Sequence, residues 1–174
     1  LAFPTPSGRI EIASARAEAD GYTRVPQPWA DEQPADGRLR LLSPASNIAM
    51  NASFGNVEKL TRRAGPATIM LHPADAASRG LEDGAVATVF NETGSIVLQV
   101  VTSAEMLPGV ALSPKGRWPR LEEADANINV LYDGRKSDMG ESTSVHGVEV
   151  TVQPVNSGTS DEQVSVSGVR SSVS

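Results

Sequence analysis

Apolar residues along this chain fall into short runs separated by prolines, glycines and polar turns, and no segment keeps a helical period for long. After a proline-containing opening, Arg9-Ile10-Glu11-Ile12 alternates and predicts a short edge strand. Residues 20–38 carry Pro26, Pro28 and Pro34 among polar residues and read as an exposed connector. Leu39–Leu42 is a strand stopped by Ser43-Pro44. Ala45–Gly55 is small, polar and aperiodic, and a loop of that length inside a compact domain tends to carry function. Asn56–Arg63 is expected to be a helix, with Asn56 as cap, Val57, Leu60 and Ala64 on one face, and Gly65-Pro66 as the stop.

Thr68–Leu71 has the pattern of a buried strand. Pro73–Arg79 is a helix of about two turns, with proline at its first position and Gly80 beyond its end. His72, just before it, reads as a cap or packing residue. Ala85–Asn91 and Ser95–Ser103 flank Asn91-Glu92-Thr93-Gly94 as a hairpin. Val110–Leu112 follows the Pro108-Gly109 turn, residues 115–127 are irregular, and Asn129–Tyr132 and Val148–Gln153 are expected as closing strands. Many short strands with two short helices between them point to a closed barrel with crossovers rather than a sheet flanked by long helices. One internal echo agrees: Leu42-Ser43-Pro44 and Leu112-Ser113-Pro114 each end a strand and lead into a polar loop. The expected organisation is a lead-in over 1–38, a folded body over 39–155 and a disordered Ser/Val/Gly-rich tail over 156–174.

Aromatic residues make up only 4% of the chain, so the core has to be built from Val, Leu, Ile and Ala. There is no cysteine, which removes disulfides, thiolate metal sites and cysteine nucleophiles. His72 and His146 are the only histidines, too few for an imidazole-based metal site. With a net charge of −6 and no basic cluster larger than Lys59, Arg62 and Arg63, nucleic acid is not an expected partner. No apolar run approaches the ~20 residues that span a bilayer, so no membrane is expected either. The sequence starts at Leu1 and shows no signal peptide, so the native N-terminus is expected upstream and the default compartment is the cytoplasm.

The chain lacks a phosphate-binding Gly-rich loop and a nucleophile elbow. Its carboxylate pairs, Glu82-Asp83 and Glu122-Glu123, read as solvated faces. What remains is loops suited to a large polar ligand, because Asn and Ser both donate and accept and glycine admits close backbone approach. Asn47, Asn51, Ser53 and Asn56 form one set. Ser113, Lys115, Gly116 and Trp118 form a second, and Asn127, Asn129, Ser137 and Asp138 a third. Lys115 suits a phosphate, Trp118 a flat ring and Asp138 a guanine N–H edge. Each residue taken alone is as well explained by a turn; the three sets together favour binding over catalysis.

At these residues the chain resembles the molybdopterin dinucleotide-binding domain at the C-terminus of the dimethyl sulfoxide reductase family. The resemblance runs from Phe3–Glu11 through Asn51–Asn56, Leu71–Gly84 and Val89–Gly94. It continues through Pro108–Val110, Pro114–Trp118, Asn127–Leu131 and Ser137–Gly140, in the family order. Gly84-Ala85 stands where members often carry Gly-Asp. The resemblance implies a mainly β fold with short helices, a six-stranded double-psi β-barrel. It also implies that the loop Ser43–Asn56 and the segments Lys115–Trp118 and Asn127–Asp138 face the guanosine dinucleotide arms of bis-molybdopterin guanine dinucleotide. In that reading the molybdenum ligand comes from preceding catalytic domains of the same polypeptide, and this segment does not turn over alone. The competing readings are a free-standing double-psi barrel that binds peptides or proteins, and a small enzyme using His72 or Asp138.

Overall fold

A computed structural model describes residues 3–28, 33–137, 140–143 and 146–155, so Asp138 and the tail from 156 lie outside the described residues. The chain divides into two units, Leu1–Gln33 and Pro34–Ser174.

In the second unit, strands β1 (Leu39–Leu42), β2 (Thr68–Leu71), β3 (Val86–Phe90), β4 (Ser95–Thr102), β5 (Val110–Leu112) and β6 (Val148–Pro154) close into a barrel in the order β1-β5-β2-β4-β3-β6. Two pairs run parallel, β1 with β5 and β2 with β4, and the other four are antiparallel. The connection from β1 to β2 passes β5, and that from β4 to β5 passes β2, so the two crossovers interlock as a double-psi barrel. Alternation decides what fills it, because successive side chains on a strand point to opposite faces. Leu39 and Leu41, Ile69 and Leu71, Ala87 and Val89, Ile96, Leu98 and Val100, and Val148, Val150 and Val152 all point inward and are buried. Each such aliphatic side chain contributes about 1.5–3 kcal/mol of burial, which is how a core with few aromatics is assembled.

Helix α2 (Glu58–Ala64) starts two residues later than the sequence suggests. Val57, not Asn56, occupies its cap position, and no side chain caps it, because the preceding residues are spent on successive turns. Helix α3 (Pro73–Ala77) is as expected at its start, where His72 Nδ1 accepts from the Ala74 amide at 3.1 Å. Asp75 Oδ2 accepts from the Gly109 amide at 2.8 Å, fastening α3 to the turn before β5.

The strand expected at Asn129–Tyr132 is instead a 3-10 turn over Ile128–Leu131. Asn127 causes the change: its Oδ1 accepts from the Asn129 amide at 3.0 Å and starts the turn. The tighter winding then puts Ile128 and Leu131, three apart, both into the core. The β3–β4 hairpin is held by Asn91, whose Oδ1 accepts from the amides of Thr93 (2.9 Å) and Gly94 (3.2 Å). Asn91 Nδ2 donates to the carbonyls of Leu131 (2.8 Å) and Glu149 (3.3 Å), so one amide joins hairpin, 3-10 turn and β6.

In the first unit the strand expected at 9–12 does not form; Ile10 and Ile12 are exposed and the backbone is turned. Side chains take the place of a partner strand. Thr5 Oγ1 donates to the Arg9 carbonyl at 2.6 Å, and Glu11 Oε1 accepts from the Ser7 amide at 2.9 Å. The Ser7 hydrogen bonds hold the Glu11 carboxyl below its ordinary value. A short helix α1 (Ala15–Ala19) follows, capped by Ser14 Oγ on the Ala17 amide at 3.1 Å. Among the described residues, no helix is long and apolar enough to cross a membrane.

Candidate functional site: two loops joined at one end of the barrel

The site begins with the repeated tripeptide. Leu42 and Leu112 are register partners in the parallel pair β1–β5, so Ser43-Pro44 and Ser113-Pro114 leave the barrel side by side. The Ser113 amide donates to the Leu42 carbonyl and the Lys115 amide to the Pro44 carbonyl, each at 3.0 Å. Ala45 and Lys115 then make an isolated parallel bridge. Both serines are buried, continuing the inward row of their strands. The Ser43 amide donates to His146 Nδ1 at 3.4 Å, while its hydroxyl has no partner among the described residues.

From this root the two loops stay together. The first winds through tight turns, with Asn51 (φ 51°) and Phe54 (φ 65°) in the left-handed region and Ser46 Oγ accepting from the Ile48 amide at 3.1 Å. The second lies against it. Gly116, at φ 101°, approaches the Asn51 carbonyl so closely that a β-carbon there would lie 2.5 Å from its oxygen. The Trp118 indole N–H donates to the Ala52 carbonyl, and its ring lies on Gly55, where an added β-carbon would meet Cδ1 at 3.0 Å. The ring is still 40% exposed. Beside these loops opens a cleft of about 980 Å³, bordered by α2, residues of β3 and β4, and both loops. That is at the upper end of the range for ligand clefts, ~300–1,000 Å³.

Of the residues singled out in the sequence, Asn47, Lys115, Gly116 and Trp118 line this cavity. Asn51 does not line it but packs its carbonyl on Gly116, and Ser43 is buried where the first loop leaves β1. Ser53 and Asn56 are exposed on the turns of the first loop. Asn127 reaches the second loop by donating Nδ2 to the Arg117 carbonyl at 2.7 Å. Asn129 is exposed on the 3-10 turn, and Ser137 pairs with Ser142, its Oγ accepting from the Ser142 amide at 3.0 Å. Among the described residues no hydrogen bond joins Asn129 or Ser137 to the two loops, so the third set is only partly gathered. No group of three His, Cys, Asp or Glu able to hold a metal occurs among the described residues.

Two residues lie within the expected segments but were not singled out. Gly55 carries the Trp118 ring, and Arg117 bonds to the loop after α2: its guanidinium donates to the Gly65 and Pro66 carbonyls, each at 2.7 Å, and to Glu122 at 3.0 and 3.1 Å. The one sequence signal for Arg117 was a glutamate five positions on, across the Trp118-Pro119 turn.

Residues 39–149 match the family described as the molydopterin dinucleotide binding domain, and this chain belongs to that family. Over 157 residues it is 30% identical to the probable oxidoreductase YoaE of Bacillus subtilis, covering 88% of this chain and 22% of that protein. It is 27% identical to the probable dimethyl sulfoxide reductase chain YnfF of Escherichia coli, covering 87% of this chain and 21% of the other. It is 29% identical to the biotin sulfoxide reductase of Cereibacter sphaeroides, with 86% and 22% covered. The chain thus spans about a fifth of the length of the curated relatives it matches. The acetylene hydratase of Pelobacter acetylenicus shares the fold, with a TM-score of 0.75 at 18% identity, over 87% of this chain and 24% of that one. The barrel is therefore a molydopterin dinucleotide binding domain, and the family it belongs to supports a molybdopterin as its cofactor.

Proposed function

We propose that residues 39–155 hold a guanosine dinucleotide arm of bis-molybdopterin guanine dinucleotide, carrying molybdenum, within a larger oxidoreductase. Residues 1–38 would lead in from its preceding catalytic domains. The observation that carries this reading is the paired loops around the cavity. Lys115 lines it with no ion pair among the described residues, Trp118 presents an exposed ring face, and Asn47 adds an exposed amide.

The donor set fits such a group. A pyrophosphate needs cationic and N–H donors, which Lys115 and the loop amides supply. A flat purine or pterin needs an apolar face, which Trp118 offers. The bound group supplies two-electron redox chemistry at its metal. This chain's residues bind and orient it: Lys115 neutralises phosphate charge, the Gly116–Asn51 contact keeps the loops closed, and Trp118 covers a ring and excludes water. Asn127 steadies the second loop from behind.

The test is titration of the chain with guanosine 5′-diphosphate, followed by amide NMR. Perturbations within 43–56 and 115–137 are the expected result. Shifts confined to 1–38, or none, would sink the proposal. Metal, released pterin and released guanosine monophosphate measured on the uncut polypeptide would settle the guanine form and the metal, with near one molybdenum, two pterins and two guanosine monophosphates per chain expected.

A further inference from the structure

We infer that Arg117 is the positioning residue that locks both ligand-facing loops to helix α2, an inference that rests on the dinucleotide reading above. Arg117 stands between Gly116, packed on Asn51, and Trp118, bonded to Ala52 and lying on Gly55. Its own side chain turns the other way. One guanidinium nitrogen forks onto both Glu122 oxygens at 3.0 and 3.1 Å, and the other donates to the carbonyls of Gly65 and Pro66, at 2.7 Å each. Those carbonyls follow the end of α2, where helix carbonyls lack intrahelical partners and a cation is favoured. Glu122 is half-buried, its side chain 17% exposed, so the pair is screened less than an ion pair on the open surface.

The arrangement closes a circuit. The first loop runs directly into α2, α2 ends on the Arg117 guanidinium, and the backbone of Arg117 returns to the first loop through its two neighbours. Asn127 adds the third segment by donating to the Arg117 carbonyl at 2.7 Å. Only an arginine serves here, because its planar fork meets a carboxylate and two carbonyls at once, whereas lysine is a point charge on a flexible stem. Arg117 lines the cavity, but its charge is spent inside the protein, which leaves Lys115 beside it as the cation available to a phosphate.

Arg117→Lys in the full chain, titrated with guanosine 5′-diphosphate and followed by amide and indole NMR, tests this. The Trp118 indole resonance would be assigned with a Trp29→Phe variant. The expected result is a dispersed, folded spectrum with binding at least tenfold weaker, and an indole N–H of Trp118 that moves before any nucleotide is added. Native affinity with the indole resonance in place would overturn the inference. Should Arg117→Lys not fold, Glu122→Gln removes the ion pair and, because Glu122 also lines the cavity, one negative charge that would otherwise repel a phosphate. A several-fold loss of affinity there supports the inference, and native affinity with an unmoved indole overturns it. Absence of binding by the unaltered chain would remove the dinucleotide reading instead, and the Trp118 indole shift would then decide the positioning role by itself.

Discussion

The Cα of Gly116 faces the backbone carbonyl of Asn51 with no room for a β-carbon, which would lie 2.5 Å from the oxygen. Two polar loops that the sequence places far apart are therefore in backbone contact, and the contact depends on a residue at φ 101°. Gly116→Ala adds both a clash with rigid backbone and a conformation that L side chains rarely adopt, together about 1–3 kcal/mol of local strain. The loops are expected to separate, with loss of guanosine diphosphate binding of about tenfold or more. Calorimetric titration, with circular dichroism as the fold check, measures both. Native affinity in the folded variant would show that loop closure is irrelevant to binding.

Lys115 is expected to act through its charge alone. Lys115→Gln leaves the barrel's melting temperature unchanged and weakens guanosine diphosphate binding, with the larger loss at low ionic strength, where screening is weak. Lys115→Arg restores most of the affinity. Isothermal titration at two salt concentrations checks this; equal affinities for Lys115→Gln and the native chain would remove the phosphate role.

Asn91 is expected to matter for stability and not for binding. Asn91→Ala loses two acceptor and two donor contacts and strands the carbonyls of Leu131 and Glu149. The expected loss is about 1–3 kcal/mol, the range for a part-buried polar group left unpaired. Chemical denaturation reads it, and an unchanged midpoint would contradict the bracing role.

Glu92 offers a pH test away from the site. Its hydrogen bond with Arg38 holds the Glu92 carboxyl below its ordinary value and raises Arg38. A depressed carboxyl stabilises the fold above its unfolded value, and that contribution is lost as pH falls through the folded value. In Arg38→Gln the Glu92 titration should move up toward the ordinary carboxylate range, read by carboxyl-carbon NMR, and this small acid-side contribution should vanish. The pair is exposed, so added salt should shrink the effect in the native chain.

The barrel was legible because alternation and turn chemistry agreed at its strands. Leu39–Leu42, Thr68–Leu71, the Asn91–Gly94 hairpin and Val110–Leu112 all read correctly, and the paired Leu-Ser-Pro tripeptides marked where the two adjoining polar loops start. Two strands misread for local reasons. Residues 9–12 alternate but lack a partner strand, and serine, threonine and glutamate side chains satisfy the turned backbone. Ile128-Asn129-Val130-Leu131 fits either period, and Asn127 at its start decided for the 3-10 turn. In the site, polar composition found the loops, but not which residues join them. Gly55 and Arg117 act through a ring contact and through carbonyls of a distant turn, neither of which leaves a pattern along the chain.

β6 sits between β1 and β3 in the closed ring, with Leu39 opposite Val150 and Phe90 opposite Thr151. During synthesis the first strand therefore waits for the last. Until residues 148–154 leave the ribosome, both β1 and β3 expose an unpaired edge, the kind of surface that recruits other chains. Nascent chains halted before Val148 are the ones for which chaperone protection matters most.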